Sequence, residues 1–385
     1  MLTKYTLKMP HAVYSGTNAL DNIETIIGKE IKKIALFTDK GIAGAGLLEL
    51  PLLKIKNTGK EVVVFEDLAA EPTYEEAQAV VDEFKKSGAD FIVAVGGGSV
   101  MDTAKLASVL ATDEYGVKEL LDNPSMAKKC IQTLMIPTTA GTGAEATPNA
   151  IVAVPEKELK VGIVNDNMIA DYVILDAEMI KKLPRKIAAS TGVDALCHAV
   201  ECFTSNKKNP FSDIFALKAF DMIMTNIEEA CDNPEALEAK NNMLIASFYA
   251  GAAITASGTT AVHALSYPLG GKYHIPHGVS NAILLTPVMK FNEPVCRKLF
   301  AQCYDSLGVQ SETVKTEEEK SAWVVNRMEE IVKHLDIPTS LKEFGIGDED
   351  LDALVTAGMD VTRLLVNNMR EVTAEDARKL YLEIM

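Results

Sequence analysis

Asp194 and His198 stand four residues apart within residues 192–201 (GVDALCHAVE), where no glycine or proline follows Gly192. Such a segment reads as helix, so both side chains project from one face, a turn apart. A carboxylate oxygen and an imidazole nitrogen at that spacing can share one divalent cation. Thr191 and Glu201 extend the same stripe, which is also what the wet face of an amphipathic helix looks like. The other histidines bear on that choice. Four of the six are His198, His263, His274 and His277, while His11 and His334 stand apart. His263 lies in an apolar helical piece expected to end at Pro268-Leu269-Gly270-Gly271. His277 follows Pro276 and opens another helix, expected over residues 279–285. One histidine on an apolar face is usually a satisfied core residue. Three with an aspartate, on neighbouring helical segments, suit Fe(II), Zn(II) or Mn(II) rather than calcium or magnesium.

A second group of residues suits a phosphate. The apolar run Asp90-Phe91-Ile92-Val93-Ala94-Val95 enters Gly96-Gly97-Gly98-Ser99, and a helical Val100-Met101-Asp102-Thr103-Ala104-Lys105 follows. Glycines admit a close backbone approach, and a helix start supplies unpaired N–H groups. A plain tight turn is the other reading of the same run. Leu134-Met135-Ile136 delivers the chain into a loop with Thr138, Thr139 and Thr142, neutral donors for phosphate or ribose. Asp39 ends the run that begins at Lys33. It is either a turn aspartate or an acceptor for ribose hydroxyls, and in the second case its charge repels a 2′-phosphate and favours NAD over NADP. Lys160 reads as an exposed hairpin lysine or a cation beside a cofactor.

The elements that must carry these residues change character along the chain. Apolar runs at 33–39, 61–65, 90–95, 134–136 and 172–176 alternate with helical stretches such as Tyr74–Ser87. That pattern predicts a doubly wound, Rossmann-like parallel sheet, with a hairpin at 151–154 and 160–164. After Leu183-Pro184 the segments are helical, including 211–226, 242–256, 322–335 and 374–382. The expected division is an α/β dinucleotide-binding domain over 1–184 and an all-helical metal-binding domain over 185–385. The 385 residues suffice for two cores. A net charge of −16 argues against nucleic-acid or anionic-membrane partners. No apolar run is long enough to span a bilayer, and the N-terminal Met1-Leu2-Thr3-Lys4-Tyr5-Thr6 lacks a signal-peptide core, so a cytoplasmic location is expected. The six cysteines form no CxxC pair and read as free thiols.

In this combination and order the chain resembles the iron-containing alcohol dehydrogenases, a metal-dependent family that includes lactaldehyde reductases, 1,3-propanediol dehydrogenases and butanol dehydrogenases. The motifs that carry the likeness are Gly96-Gly97-Gly98-Ser99 with Asp102, Pro137-Thr138-Thr139-Ala140-Gly141-Thr142-Gly143, Gly192-Val193-Asp194-Ala195 with His198, and His263 through Pro276-His277-Gly278. The resemblance implies Asp194, His198, His263 and His277 as ligands of Fe(II), with Zn as the alternative. It implies Asp39, Gly97, Gly98, Ser99, Asp102, Thr138, Thr139, Thr142 and Lys160 as contacts for NAD. It also implies a small alcohol or aldehyde substrate, a homodimer or larger homo-oligomer, and His277 as a catalytic residue as well as a ligand. Three positions depart from the pattern. Tyr267 replaces a histidine one turn after His263, a weak base with its ordinary pKa near 10, which leaves His274 as a substitute proton carrier. Glu71 replaces an asparagine, and Asn368-Met369-Arg370 replaces Asn-Pro-Arg. Competing readings are a dehydroquinate-synthase-like lyase, a glycerol-dehydrogenase-like enzyme on a polyol, and a non-catalytic sensor. The first needs clustered Lys and Arg, yet residues 192–203 and 262–279 carry only Lys272.

Overall fold

A computed structural model describes residues 4–157 and 159–385 of the chain. Met1, Leu2 and Thr3, part of the N-terminal stretch read above, lie outside the described residues. The chain forms two compact units, Lys8–Leu183 and Pro184–Met385, the latter together with the N-terminal residues up to Leu7.

The Lys8–Leu183 unit is built on a parallel sheet. Its strands are β1 (Ala12–Ser15), β2 (Lys33–Phe37), β3 (Glu61–Phe65), β4 (Phe91–Gly96), β5 (Gln132–Pro137) and β8 (Tyr172–Leu175), in the order β1-β8-β5-β4-β2-β3. Every residue of β4 is buried, as expected of a central strand covered on both faces. Between β5 and β8, β6 (Asn149–Val154) and β7 (Leu159–Val164) form the expected antiparallel hairpin. Gly96 pairs with Pro137 and Phe37 with Ala94, so β2, β4 and β5 end together at one edge of the sheet. The loops carrying Asp39, the glycines and the threonines all leave from that edge. The Tyr74–Ser87 helix begins at a capping box, in which Thr73 accepts from Glu76 N–H and Glu76 accepts from Thr73 N–H. Sequence reading missed β1, which alternates between half-buried and exposed residues and so has no continuous apolar run.

The Pro184–Met385 unit is helical. Two helices run further than their prolines suggest. The helix of His263 spans Ala261–Tyr273 and passes through Pro268, and the helix opened by His277 spans His277–Ser306 and passes through Pro287 and Pro294. Each proline removes one backbone hydrogen bond. Pro268 and Pro287 are buried, so packing against neighbouring helices offsets that loss. No helix among the described residues is long and apolar enough to cross a membrane. All six cysteines are free, and four are buried.

Candidate metal centre and nucleotide loops

The Arg185–Phe203 helix carries Asp194, His198 and Glu201 on the stripe singled out in the sequence. All three are buried, with only 1%, 6% and 0% of their surface exposed. The stripe is therefore not a wet face. Charged groups are buried this way only when paired or bound to a cation.

Glycine brings the next ligand candidate in. A Cβ on Gly278 would lie 2.3 Å from the Ser190 carbonyl oxygen, so only glycine lets the start of the His277 helix press against the Arg185–Phe203 helix. Gly192 plays the matching part on the other side, where a Cβ would meet Ile227 Cδ1 at 3.0 Å.

One candidate ligand atom from each of Asp194, His198, His263 and His277 lies within 4.8 Å of all the others. Asp194 Oδ1 is 3.9 Å from His198 Nε2 and 3.6 Å from both His263 Nε2 and His277 Nε2. Those separations are too long for hydrogen bonds. They come close to the roughly 3.3 Å between ligand atoms expected around a tetrahedral ion with bonds of about 2.0–2.1 Å. The His198 and His263 rings stack at 4.5 Å, and His277, with a third of its side chain exposed, marks the open side.

The local hydrogen bonding is short of donors. Asn281 Nδ2 lies 2.7 Å from Asp194 Oδ1, 3.1 Å from His263 Nε2 and 3.2 Å from His277 Nε2. One amide nitrogen has two hydrogens for those three acceptors. Its Oδ1 is buried with no hydrogen-bond partner among the described residues. A cluster of convergent acceptors short of positive charge fits a cation.

Glu201 supports the cluster from behind. Its Oε1 accepts from Thr260 N (3.1 Å), Thr260 Oγ1 (2.7 Å) and Val262 N (2.7 Å), while Oε2 faces His263 Nδ1. A proton held on Nδ1 leaves Nε2 aimed at the cluster, the arrangement in which a carboxylate orients a ligand histidine. Sequence reading placed Glu201 on the stripe without seeing this role.

The electrostatics follow the same geometry. Burial pushes the Asp194 carboxyl up, but His198, His277 and His263 together hold it well below the usual carboxylate range. Burial drives His198 down to about 4 despite Asp194. Burial also acts against protonated His263, yet Glu201 and Asp194 outweigh it and raise the imidazole to about 9.

Tyr267 lies one turn beyond His263, with its ring 6.2 Å from that of His277. Burial raises its hydroxyl above the usual value, while Arg363 pulls it the other way. The structure does not bring His274 into the cluster. It is the exposed, left-handed cap (φ 55°) that ends the Ala261–Tyr273 helix.

At the sheet edge, a cavity of about 350 Å³ is lined by Asp39, Gly97, Gly98 and Ser99 among others. Asp39 also caps the Lys40–Gly44 helix, accepting from Ile42 N at 2.8 Å. The Gly98–Val109 helix starts with no side-chain cap, so its first N–H groups are available to an anion. A Cβ on Gly98 would lie 3.0 Å from Thr142 Cγ2, which packs the glycine and threonine loops together. Thr139 lies near Gly97, and buried Thr138 Oγ1 has no hydrogen-bond partner among the described residues.

Two expected cofactor contacts are engaged elsewhere. Asp102 accepts from Lys105 Nζ (3.0 Å) and from Ile151 N (3.0 Å), tying β6 to the helix. Lys160 Nζ pairs with Glu71 Oε1 at 2.6 Å, and Glu71 N donates to Ser99 Oγ at 3.1 Å. The Glu71 departure thus sits beside the glycine loop. Glu145, also missed in the sequence, is wholly buried at the end of the threonine loop.

Residues 10–177 match the iron-containing alcohol dehydrogenase family, and residues 188–385 match the C-terminal part of the same family. The chain belongs to the iron-containing alcohol dehydrogenases. It is 33% identical to long-chain-alcohol dehydrogenase 1 of Geobacillus thermodenitrificans over 97% of this chain and 94% of the relative. It is 31% identical to lactaldehyde reductase of Escherichia coli over 91% of each chain. A solved 1,3-propanediol oxidoreductase superposes with a TM-score of 0.94 at 26% identity, covering all of both chains. A sulfoacetaldehyde reductase from Bifidobacterium kashiwanohense, solved with NAD+, superposes at 0.88 and 26% identity over 99% of each.

Proposed function

We propose that this chain is a metal-dependent alcohol dehydrogenase or aldehyde reductase that transfers a hydride between NAD(H) and a small primary alcohol, diol or aldehyde. The observation that carries the reading is one buried carboxylate oxygen ringed by three imidazole nitrogens at 3.6–3.9 Å. Asp194, His198, His263 and His277 would hold Fe(II), with Zn(II) as the alternative. When bound, the ion would supply Lewis acidity at the substrate oxygen and the nicotinamide would supply or accept hydride.

The chain's own residues do the rest. Asp194 contributes one negative charge to the ligand set, which keeps a divalent centre net positive. Glu201 fixes the ring orientation and tautomer of His263. Tyr267 offers a hydroxyl near His277 for a substrate oxygen. The uncapped helix start at Gly98, with Gly97, Ser99, Thr138, Thr139 and Thr142, serves the cofactor's pyrophosphate and ribose, and Asp39 favours NAD over NADP. In this reading residues 1–184 form the dinucleotide-binding domain and 185–385 the catalytic domain. By likeness to the family we extend it to a cytoplasmic homo-oligomer, whose size chromatography measures.

After iron or zinc reconstitution, absorbance at 340 nm should report NADH formation from ethanol, butanol or propanediols, and NADH consumption with the matching aldehydes. A His277→Ala enzyme with full activity and full metal content would sink the assignment.

A further inference from the structure

All six arginines lie from residue 185 onward. Arg185, Arg297, Arg327 and Arg378 each pair with carboxylates. Arg370 stacks on Phe291 and donates to its carbonyl at 2.6 Å. Arg363 differs from these five. It lies on the short Thr362–Leu365 helix, is exposed, and among the described residues has no carboxylate within ion-pair distance. Even Asp360, three residues earlier, is not its partner.

The Thr362–Leu365 helix packs against Ala261–Tyr273, and the Arg363 guanidinium faces the hydroxyl of Tyr267. Tyr267 stands one turn past His263, with its ring 6.2 Å from His277, the most exposed member of the metal cluster. A permanent cation without a counter-ion therefore stands one side chain away from the open side of the proposed metal centre. Lys272, the lysine of the Ala261–Tyr273 helix itself, is 3.8 Å from Asp350 and already has an acid nearby.

We propose that Arg363 recognises a terminal oxyanion on the substrate, so that the preferred substrates are short aldehydes with a carboxylate or sulfonate at the end away from the carbonyl. The inference rests on the function proposed above and names its substrate class. In the reaction the carbonyl carbon gains hydride from NADH and the oxygen gains a proton, while NADH becomes NAD+. The anionic group takes no part in that exchange and serves only to anchor the molecule. A guanidinium suits the task because its planar fork can donate two parallel hydrogen bonds to an oxyanion. A neutral alkyl chain gains nothing from it, and a cationic substrate is disfavoured.

The test compares wild type, Arg363→Gln and Arg363→Lys, all iron-loaded, on succinic semialdehyde, 3-oxopropane-1-sulfonate and butanal. Wild type should prefer at least one anionic aldehyde to butanal by about tenfold or more in kcat/KM, the scale of one charged hydrogen-bond contact. Arg363→Gln should lose that preference mainly through KM and keep butanal turnover within about threefold, and Arg363→Lys should recover part of it. The two anionic arms separate carboxylate from sulfonate. Equal losses on charged and neutral substrates, or no anionic preference in wild type, overturn the proposal. Calorimetric binding of 4-hydroxybutyrate against 1-butanol provides a readout independent of turnover. Arg363→Gln should weaken only the former, and unchanged affinity overturns the proposal. That arm decides even if no aldehyde is reduced, an outcome that would count against the oxidoreductase reading alone.

Discussion

The nucleotide loops and the metal corner hold their polar groups in opposite ways. At the sheet edge the working atoms are backbone N–H groups of an uncapped helix, neutral threonine hydroxyls and one partly exposed aspartate. Of these, only the Thr138 hydroxyl, buried with no hydrogen-bond partner among the described residues, calls for a ligand, and it carries no charge. In the metal corner an aspartate and two histidines are buried, Asn281 leaves one oxygen unsatisfied, and Glu201 is committed to His263. Buried charges are expensive unless compensated, so that corner has a built-in demand for a cation. The contrast teaches that losing the metal should disturb the helical unit, whereas losing the nucleotide should leave the sheet intact.

The sharpest way to break the contrast is to empty the corner alone. His263→Ala should lower kcat by roughly a thousandfold or more, since Lewis-acid stabilisation is worth several kcal/mol and about 1.4 kcal/mol is tenfold. NADH binding, followed by fluorescence titration, should change by less than about twofold, because the residues assigned to it lie on other elements. Equal losses of turnover and NADH affinity would show that the two regions are not separate devices.

The sheet unit also buries a carboxyl near its threonine loop. Glu145 is wholly buried, its Oε1 has no hydrogen-bond partner among the described residues, and burial pushes its carboxyl up to about 7. The folded value lies above the ordinary 4.5, so the fold prefers the protonated form. This contribution to stability is complete below about pH 4.5 and is lost as the pH rises through about 7. By pH 8 the loss approaches about 3 kcal/mol. Glu145→Gln should therefore match wild type near pH 5 and melt higher at pH 8 by calorimetry. Parallel pH slopes for the two proteins would refute it.

What the sequence made legible divides along the same line. Strand-to-loop transitions at Asp39, Gly96 and Pro137 are local patterns, and parallel pairing brings their ends to one edge. Helical spacing likewise put Asp194 and His198 on one face. The rest depended on tertiary contacts that no local pattern encodes. Whether the Asp194 stripe is wet or buried is decided by the helices packed against it. The continuation of two helices through Pro268, Pro287 and Pro294 is likewise decided by burial, while Gly278 matters because of Ser190, 88 positions earlier. Asp102 and Lys160 carry family motifs, yet their charges are taken up by Lys105 and Ile151, and by Glu71.

Glu201 tests how far the corner depends on support that touches no substrate. In Glu201→Gln the amide can present N–H to His263 Nδ1, which moves the ring proton to Nε2 and aims it at the cluster. Metal affinity should fall by about 10- to 100-fold, measured by competition with a chelator. Glu201→Asp should recover little, because the shorter side chain cannot reach Thr260, Val262 and His263 together. Unchanged metal affinity in the Gln variant would reduce Glu201 to a packing residue.

The smallest effect should come from the one charge at the nucleotide edge. Asp39 does two things at once: it caps the Lys40–Gly44 helix and lines the cavity beside Gly97, Gly98 and Ser99. Asparagine caps helices about as well as aspartate, and its amide oxygen would still accept from Ile42 N–H. Asp39→Asn therefore removes the charge and keeps the local fold. If that charge repels a 2′-phosphate, the preference for NAD over NADP in kcat/KM should shrink by about tenfold in the variant, with the change falling on NADP. The effect should also fade in wild type as salt rises, because a partly exposed charge is screened. If Asp39→Asn instead weakens both nucleotides alike, Asp39 acts as a hydrogen-bonding cap and not as a filter. The sheet edge would then read its cofactor through backbone and hydroxyl groups alone.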